Sequence, residues 1–160
     1  MKVLGIDPGI DRLGWGVLQG SGFNKIDYVS SGLITTTRSE SSQYRLSEIF
    51  QDLTDLIAAH KPDIVYVEEL YFAQNVSTAM IVSEVRGIIK VVMQNAGIKY
   101  FEIHPRTLKK KMTGVGNAKK NQVRYVLQSI FKFKELPKPD DVADAIAIAY
   151  VGILEQLSVL

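Results

Sequence analysis

Five carboxylates stand where the surrounding sequence argues against charge. Asp7 lies between Ile6 and Pro8, directly after the apolar run Val3-Leu4-Gly5-Ile6. Glu68 and Glu69 close the run Ile64-Val-Tyr-Val. Asp141 and Asp144 open a segment whose continuation, Ala145-Ile-Ala-Ile-Ala-Tyr, is almost wholly apolar. A carboxylate in such a setting must be paired, solvated or bound to a cation. Asp141 and Asp144 are three residues apart and share one face of a helix. Converging carboxylates without nearby basic residues repel one another, and hard divalent cations relieve that repulsion. All-oxygen donors select Mg²⁺, with Mn²⁺ as a substitute, over zinc. Two such ions about 3.5–4 Å apart activate water and stabilise the leaving oxygen of a phosphodiester. Each carboxylate also has a local alternative. Asp7 could satisfy its own turn amides, Glu69 could point to solvent, and Asp140 or Asp141 could cap the helix; Asp140 is the expected cap.

The net charge of +2 conceals a strong asymmetry. From His104 to Lys138 lie ten of the nineteen basic residues, Arg106, Lys109, Lys110, Lys111, Lys119, Lys120, Arg124, Lys132, Lys134 and Lys138, opposed only by Glu135. That segment carries 10 − 1 = +9, and the remainder 9 − 16 = −7. Such a division describes a polyanion-binding face on an acidic body.

These groups need a scaffold. At 160 residues the chain is expected to form a single domain, residues 1–160, with a substantial core. The absence of cysteine excludes disulfides and suits a reducing compartment, so the expected location is cytoplasmic. No signal-peptide pattern opens the chain, and the longest apolar run, Ala145–Leu154, is far short of the roughly 18 residues of a membrane span. The opening run reads as a buried strand, broken at Pro8-Gly9 and followed by a second strand from Leu13. Gly14 and Gly16 leave room for close approach to the first strand. Asp-x-Gly between two strands faces nucleotide phosphates in sugar-kinase and actin-like ATPases, and the same geometry opens the ribonuclease-H-like nucleases. Lys25–Ile34 reads as a third strand, and Gln43–His60 as an amphipathic helix. Asp63–Leu70 follows as a buried strand, then Val76–Gly97 as a long helix with apolar surface for both a sheet and a partner chain. Ile98–Ile103 is a further strand, and Pro105 starts a basic helix. A second helix follows with Lys120 and Arg124 outside, then a final one from Asp140 to about Leu157. Three antiparallel strands followed by parallel crossovers describe an α/β, ribonuclease-H-like mixed sheet with helices on both faces.

Four ordered segments resemble the RuvC family of Holliday-junction endonucleases. GIDPGIDRLGWGV resembles its opening GIDPG-x-x-x-x-G-[YW]-G, and VEELYFAQNVSTAMIVSEVRG its central E-x-x-[FY]-x-x-x-N. PRTLKKKMTGVGNAKKNQV and DDVADAIAIA resemble its basic stretch and its terminal D-x-x-D-A-[LI]-A. The resemblance implies that Asp7, Glu68, Asp141 and Asp144 form a catalytic, metal-binding tetrad, and it selects Glu68 over Glu69. It places Lys109 and Lys120, within the basic stretch that includes Arg106, beside the DNA backbone, and Tyr71 where the family carries an aromatic that contacts unstacked bases. The implied activity is Mg²⁺-dependent resolution of four-way DNA junctions by a homodimer, through paired symmetric nicks leaving 5′-phosphate and 3′-hydroxyl ends. RuvA and RuvB are the expected branch-migration partners. The competing functions are a nuclease on RNA or RNA–DNA hybrids, a non-catalytic junction-binding module, and an actin-like ATPase. The last fails on size, because its nucleotide sits between two such domains.

Overall fold

The computed structural model describes residues 1–70 and 76–159. Strands β1 (Lys2–Asp7), β2 (Arg12–Gly22) and β3 (Lys25–Thr35) come first. They are followed by α1 (Ser42–His60), β4 (Ile64–Glu68), α2 (Val76–Asn95), β5 (Lys99–Ile103), α3 (Pro105–Thr113), α4 (Lys120–Phe131) and α5 (Asp140–Leu157). The five strands form one sheet in the order β3-β2-β1-β4-β5. The β1–β2 and β2–β3 pairs are antiparallel, whereas β4 runs parallel to both β1 and β5. The mixed ribonuclease-H-like sheet expected from the element order is therefore present. No helix among the described residues is long and apolar enough to cross a membrane.

Strand alternation sorts the core into two layers. Leu4, Ile6, Leu13, Val17, Val65 and Val67 face one way, onto Ile49 and Leu53 of α1 and Val85 and Ile89 of α2. Val3, Leu18, Ile64 and Tyr66 face the other way, onto α5 with α3 and α4 beside it. Helix α5 lies close against the sheet, its backbone meeting the strand glycines where no side chain intervenes. A Cβ at Gly5 would collide with the Ala145 carbonyl, and one at Gly14 with the Asp141 carbonyl. A Cβ at Gly16 would collide with Ile146. The approach reserved by Gly14 and Gly16 is thus filled by the backbone of α5.

Two sequence expectations change. The strand expected over Asp63–Leu70 ends at Glu68, and Glu69 lies beyond it, exposed. Asp140 does not cap α5: Pro139 holds the N-cap position with extended backbone. Proline offers no side-chain acceptor, and Asp140, already in the first turn, pairs with Arg124 and with Lys120 at 3.7 Å.

Candidate active site

Four carboxylates reach one region from three elements. On β1, Val3 and Gly5 face α5, so the period of two turns Asp7 the same way. On β4, Ile64 and Tyr66 face α5, and the same count brings Glu68 to that side. The close seat of α5 over Gly14 and Gly5 carries Asp141 and Asp144, in its first turns, to the ends of these strands. Glu69 is exposed outside the strand, and its N–H donates to the Ile103 carbonyl at 2.8 Å.

The electrostatics record the convergence. Asp7 is pushed up to about 8, first by burial and then by the Glu68, Asp144 and Asp141 carboxylates. Burial, with Asp144 second, raises Glu68, and burial also raises Asp144. The expectation that no basic residue stands near these acids is corrected. Lys120 Nζ lies 2.7 Å from Asp144 Oδ2, and Arg12 Nε lies 3.1 Å from Asp141 Oδ2. Lys120 and Arg124 lie outside the core, as expected, and reach back to the acids; burial notwithstanding, Asp144, Asp140 and Asp7 hold the Lys120 pKa above the ordinary value. Among the described residues, no three Asp, Glu, His or Cys side chains already form a closed metal-binding cluster; lysine and arginine neutralise two of the acids instead. The residues nevertheless suit a hard cation. All donors are oxygens, Asp7 is charged only at a cost, and Asp141 Oδ2 is buried without an aligned hydrogen-bond donor despite its ion pair.

A cleft of about 240 Å³ opens beside this cluster, lined by Glu68 and Asp144 together with Lys109 and Lys120. Helix α3 supplies Lys109 because His104 Nδ1 caps it, accepting from the Arg106 N–H at 3.1 Å, and because Leu108 and Met112 anchor it in the core. A cleft lined by both carboxylates and lysines can hold cations and a phosphodiester together. The family model of the crossover junction endodeoxyribonuclease RuvC matches residues 3–151.

The chain belongs to the RuvC family.

A RuvC relative from Caldicellulosiruptor saccharolyticus is 40% identical over 163 residues, covering 100% of this chain and 96% of its own length. The solved T. thermophilus RuvC in complex with a Holliday junction substrate superposes with a TM-score of 0.93 at 30% identity, covering 99% of this chain and 96% of that one. The yeast mitochondrial Holliday junction resolvase Ydc2 shares the fold, with a TM-score of 0.73, 16% identity and coverage of 98% and 80%.

In this RuvC chain the remaining expected residues are dispersed. Arg106 is exposed and lies alongside Gly116, off the cleft wall that Lys109 forms. Tyr71 and its neighbour Phe72 lie outside the described residues. A second, open groove of about 670 Å³ runs along α4, sharing Lys120 and Arg124 with the site's edge and adding Lys134 and Lys138. Gln128 holds its far wall by donating to the carbonyls of Phe133 at 3.1 Å and Lys134 at 3.0 Å. Two arginines at the site were missed. Arg12 left no sequence signal beyond its place next to a turn. Arg86 did leave one: a cation set directly after Val85 in the apolar stripe of α2.

Proposed function

We propose that this chain resolves four-way DNA junctions by paired symmetric nicks, as a crossover junction endodeoxyribonuclease in recombination and repair. Its whole length forms one nuclease domain, acting in the cytoplasm. The observation that carries the reading is the convergence of Asp7, Glu68, Asp141 and Asp144 from two strand ends and one helix start, with Asp7 pushed up to about 8. These four residues would hold Mg²⁺, two ions per site, with Mn²⁺ as a substitute. When bound, the ions supply Lewis acidity for in-line attack of water on the phosphate and for the charge on the departing 3′ oxygen.

The chain's own residues do the rest. Lys109 and Lys120, which line the same cleft as Glu68 and Asp144, present cations to the scissile strand. Lys120 and Arg12 moderate carboxylate repulsion before cations arrive. Arg106 and the groove lined by Lys134 and Lys138 extend the positive surface away from the cut, a path for a duplex arm. Tyr71 is assigned to unstacked bases at the junction centre, where stacking is worth about 1–3 kcal/mol per base. Two equivalent target strands call for two sites related by a two-fold axis. Met80, Gly87 and Val91 recur along one face of α2, Met80 64% and Val91 50% exposed, with open space at Gly87, and this face is assigned to the homodimer. RuvA and RuvB are the assigned partners in branch migration.

The deciding experiment compares Mg²⁺-dependent nicking of a four-way junction, a linear duplex and an RNA–DNA hybrid. Paired nicks confined to the junction are expected. Preferential cutting of the hybrid would move the chain to a ribonuclease, and junction binding without any cutting would make it a binding module.

A further inference from the structure

Arg86 is the one charged or polar residue that is buried among the described residues, at 7% exposure. Taking a guanidinium out of water is costly unless both ends are matched, and here both are. Nη1 donates to the backbone carbonyl of Glu68. Nη2 lies 2.8 Å from Glu102 Oε2 on β5. The other oxygen of Glu102 accepts from the Tyr100 hydroxyl at 2.8 Å and lies 3.1 Å from Lys90 Nζ. The bracket therefore joins three elements: α2, which carries Arg86, the end of β4, and β5.

The Glu68 carbonyl is where the sheet needs such a partner. The parallel ladder between β1 and β4 runs from Val3↔Ile64 to Ile6↔Val67 and stops one residue short of Glu68. On the β5 side the register continues to Glu68↔Ile103. The last residue of β4 is thus paired with β5 alone, and Arg86 adds a hold on its carbonyl. The direction of that carbonyl sets the backbone angles at Glu68, and these set whether its side chain points to α5 and Asp7 or swings toward solvent with Glu69. A lysine cannot replace the bracket, because one ammonium on a flexible stem does not span the carbonyl and the carboxylate as a planar fork does.

We propose that Arg86 is a positioning residue for the cleavage reaction, holding the end of β4 so that the Glu68 carboxylate stays beside Asp7. The inference rests on the reading of Glu68 as a metal ligand. Groups that orient metal ligands in this way cost about 10–100-fold in metal affinity or activity when altered.

The test uses the full chain with Arg86→Lys, Glu102→Gln and, as reference, Glu68→Gln. Four quantities are read: the single-turnover rate at saturating junction, junction affinity in metal-free buffer, Mn²⁺ affinity of the DNA-free protein by titration calorimetry, and the melting temperature. Arg86→Lys keeps a cation for Glu102 but loses the carbonyl bond. It is expected to lower the rate and weaken Mn²⁺ binding by about 10–100-fold, with metal-free junction affinity within about twofold. Glu102→Gln leaves the carbonyl bond in place and is expected to stay within about threefold of wild type in rate. A wild-type rate and Mn²⁺ affinity in Arg86→Lys would overturn the proposal. So would losses that follow the melting temperature and vanish when assayed well below it. If instead Glu68→Gln binds Mn²⁺ and cuts like wild type, the ligand assignment underneath fails, whatever Arg86 does.

Discussion

At the scale of single residues, Asp7 sits at the centre of the mutual repulsion. Folded Asp7 titrates at about 8 against an ordinary 3.8. Between those values the folded chain keeps a proton that the unfolded chain has released, so stability falls as pH rises through that window. Asp7→Asn removes this penalty. In metal-free buffer its melting temperature should exceed that of wild type by several degrees near pH 8 and by little near pH 4, as calorimetry across pH would record. Equal offsets at both pH values would mean that Asp7 is not held protonated. The same variant, and Glu68→Gln or Asp144→Asn each alone, should abolish cleavage while retaining junction binding, because each removes a proposed metal ligand and no cation available to phosphate. Glu69→Gln should cut within a few-fold of wild type, since Glu69 lies exposed beyond the strand.

At the scale of elements, the site depends on how deeply α5 is seated. The atoms facing Gly5 are the Ala145 carbonyl and the Ala149 amide and Cα, and those facing Gly14 are the Asp141 carbonyl and its neighbours. All are backbone, so no side chain can swing aside for an added methyl group. Gly5→Ala and Gly14→Ala should each cost about 1–3 kcal/mol by overpacking, which lowers the melting temperature of a domain this size by roughly 2–4 °C per kcal/mol. Gly14→Ala lifts the start of α5, where Asp141 and Asp144 sit, and should lose more cleavage than Gly5→Ala at matched stability. Identical cleavage in the two variants at a temperature where both are folded would contradict this account of how the acids are brought together.

At the scale of the whole molecule, two surfaces lead away from the acids. Along α4, residues 120 to 128 span about 12 Å at 1.5 Å per residue, enough for three or four phosphates at about 3.4 Å along one strand. Replacing Lys134 and Lys138 together by alanine should lower the slope of log K against log salt by about 1.8, two contacts at about 0.9 each. The loss should vanish on junctions whose arms are trimmed short. Lys25 and Lys99, which open β3 and β5 at the sheet end opposite Asp7, serve as the control pair and should leave the slope unchanged. On the opposite layer, Met80→Glu with Val91→Glu on α2 should give a monomer by sedimentation and replace paired nicks by single ones. A monomeric wild type at micromolar concentration that still makes paired nicks would remove the dimer from the mechanism.

The sequence by itself determined which elements form and in what order, because apolar period and turn chemistry act over a few residues. It also determined that Gly14 and Gly16 leave room beside the first strand, and that Asp7, Asp141 and Asp144 are out of place in an apolar setting. It could not separate Glu68 from Glu69 by pattern, since β4 is apolar on both faces and its alternation carries no contrast. Only the seat of α5 over Ile64 and Tyr66 makes one face of β4 the face that meets Asp141 and Asp144, and the count of two then reaches Glu68. The counter-ions belong to the tertiary structure for the same reason. Arg12 meets Asp141 across 129 positions of chain and Lys120 meets Asp144 across 24, and no local periodicity encodes such distances. In the sequence Arg86 is marked only by its place directly after Val85 in an apolar stripe, which names none of its partners. Its partners, the carbonyl of Glu68 and the carboxylate of Glu102, come together when α2 is laid across the ends of two parallel strands.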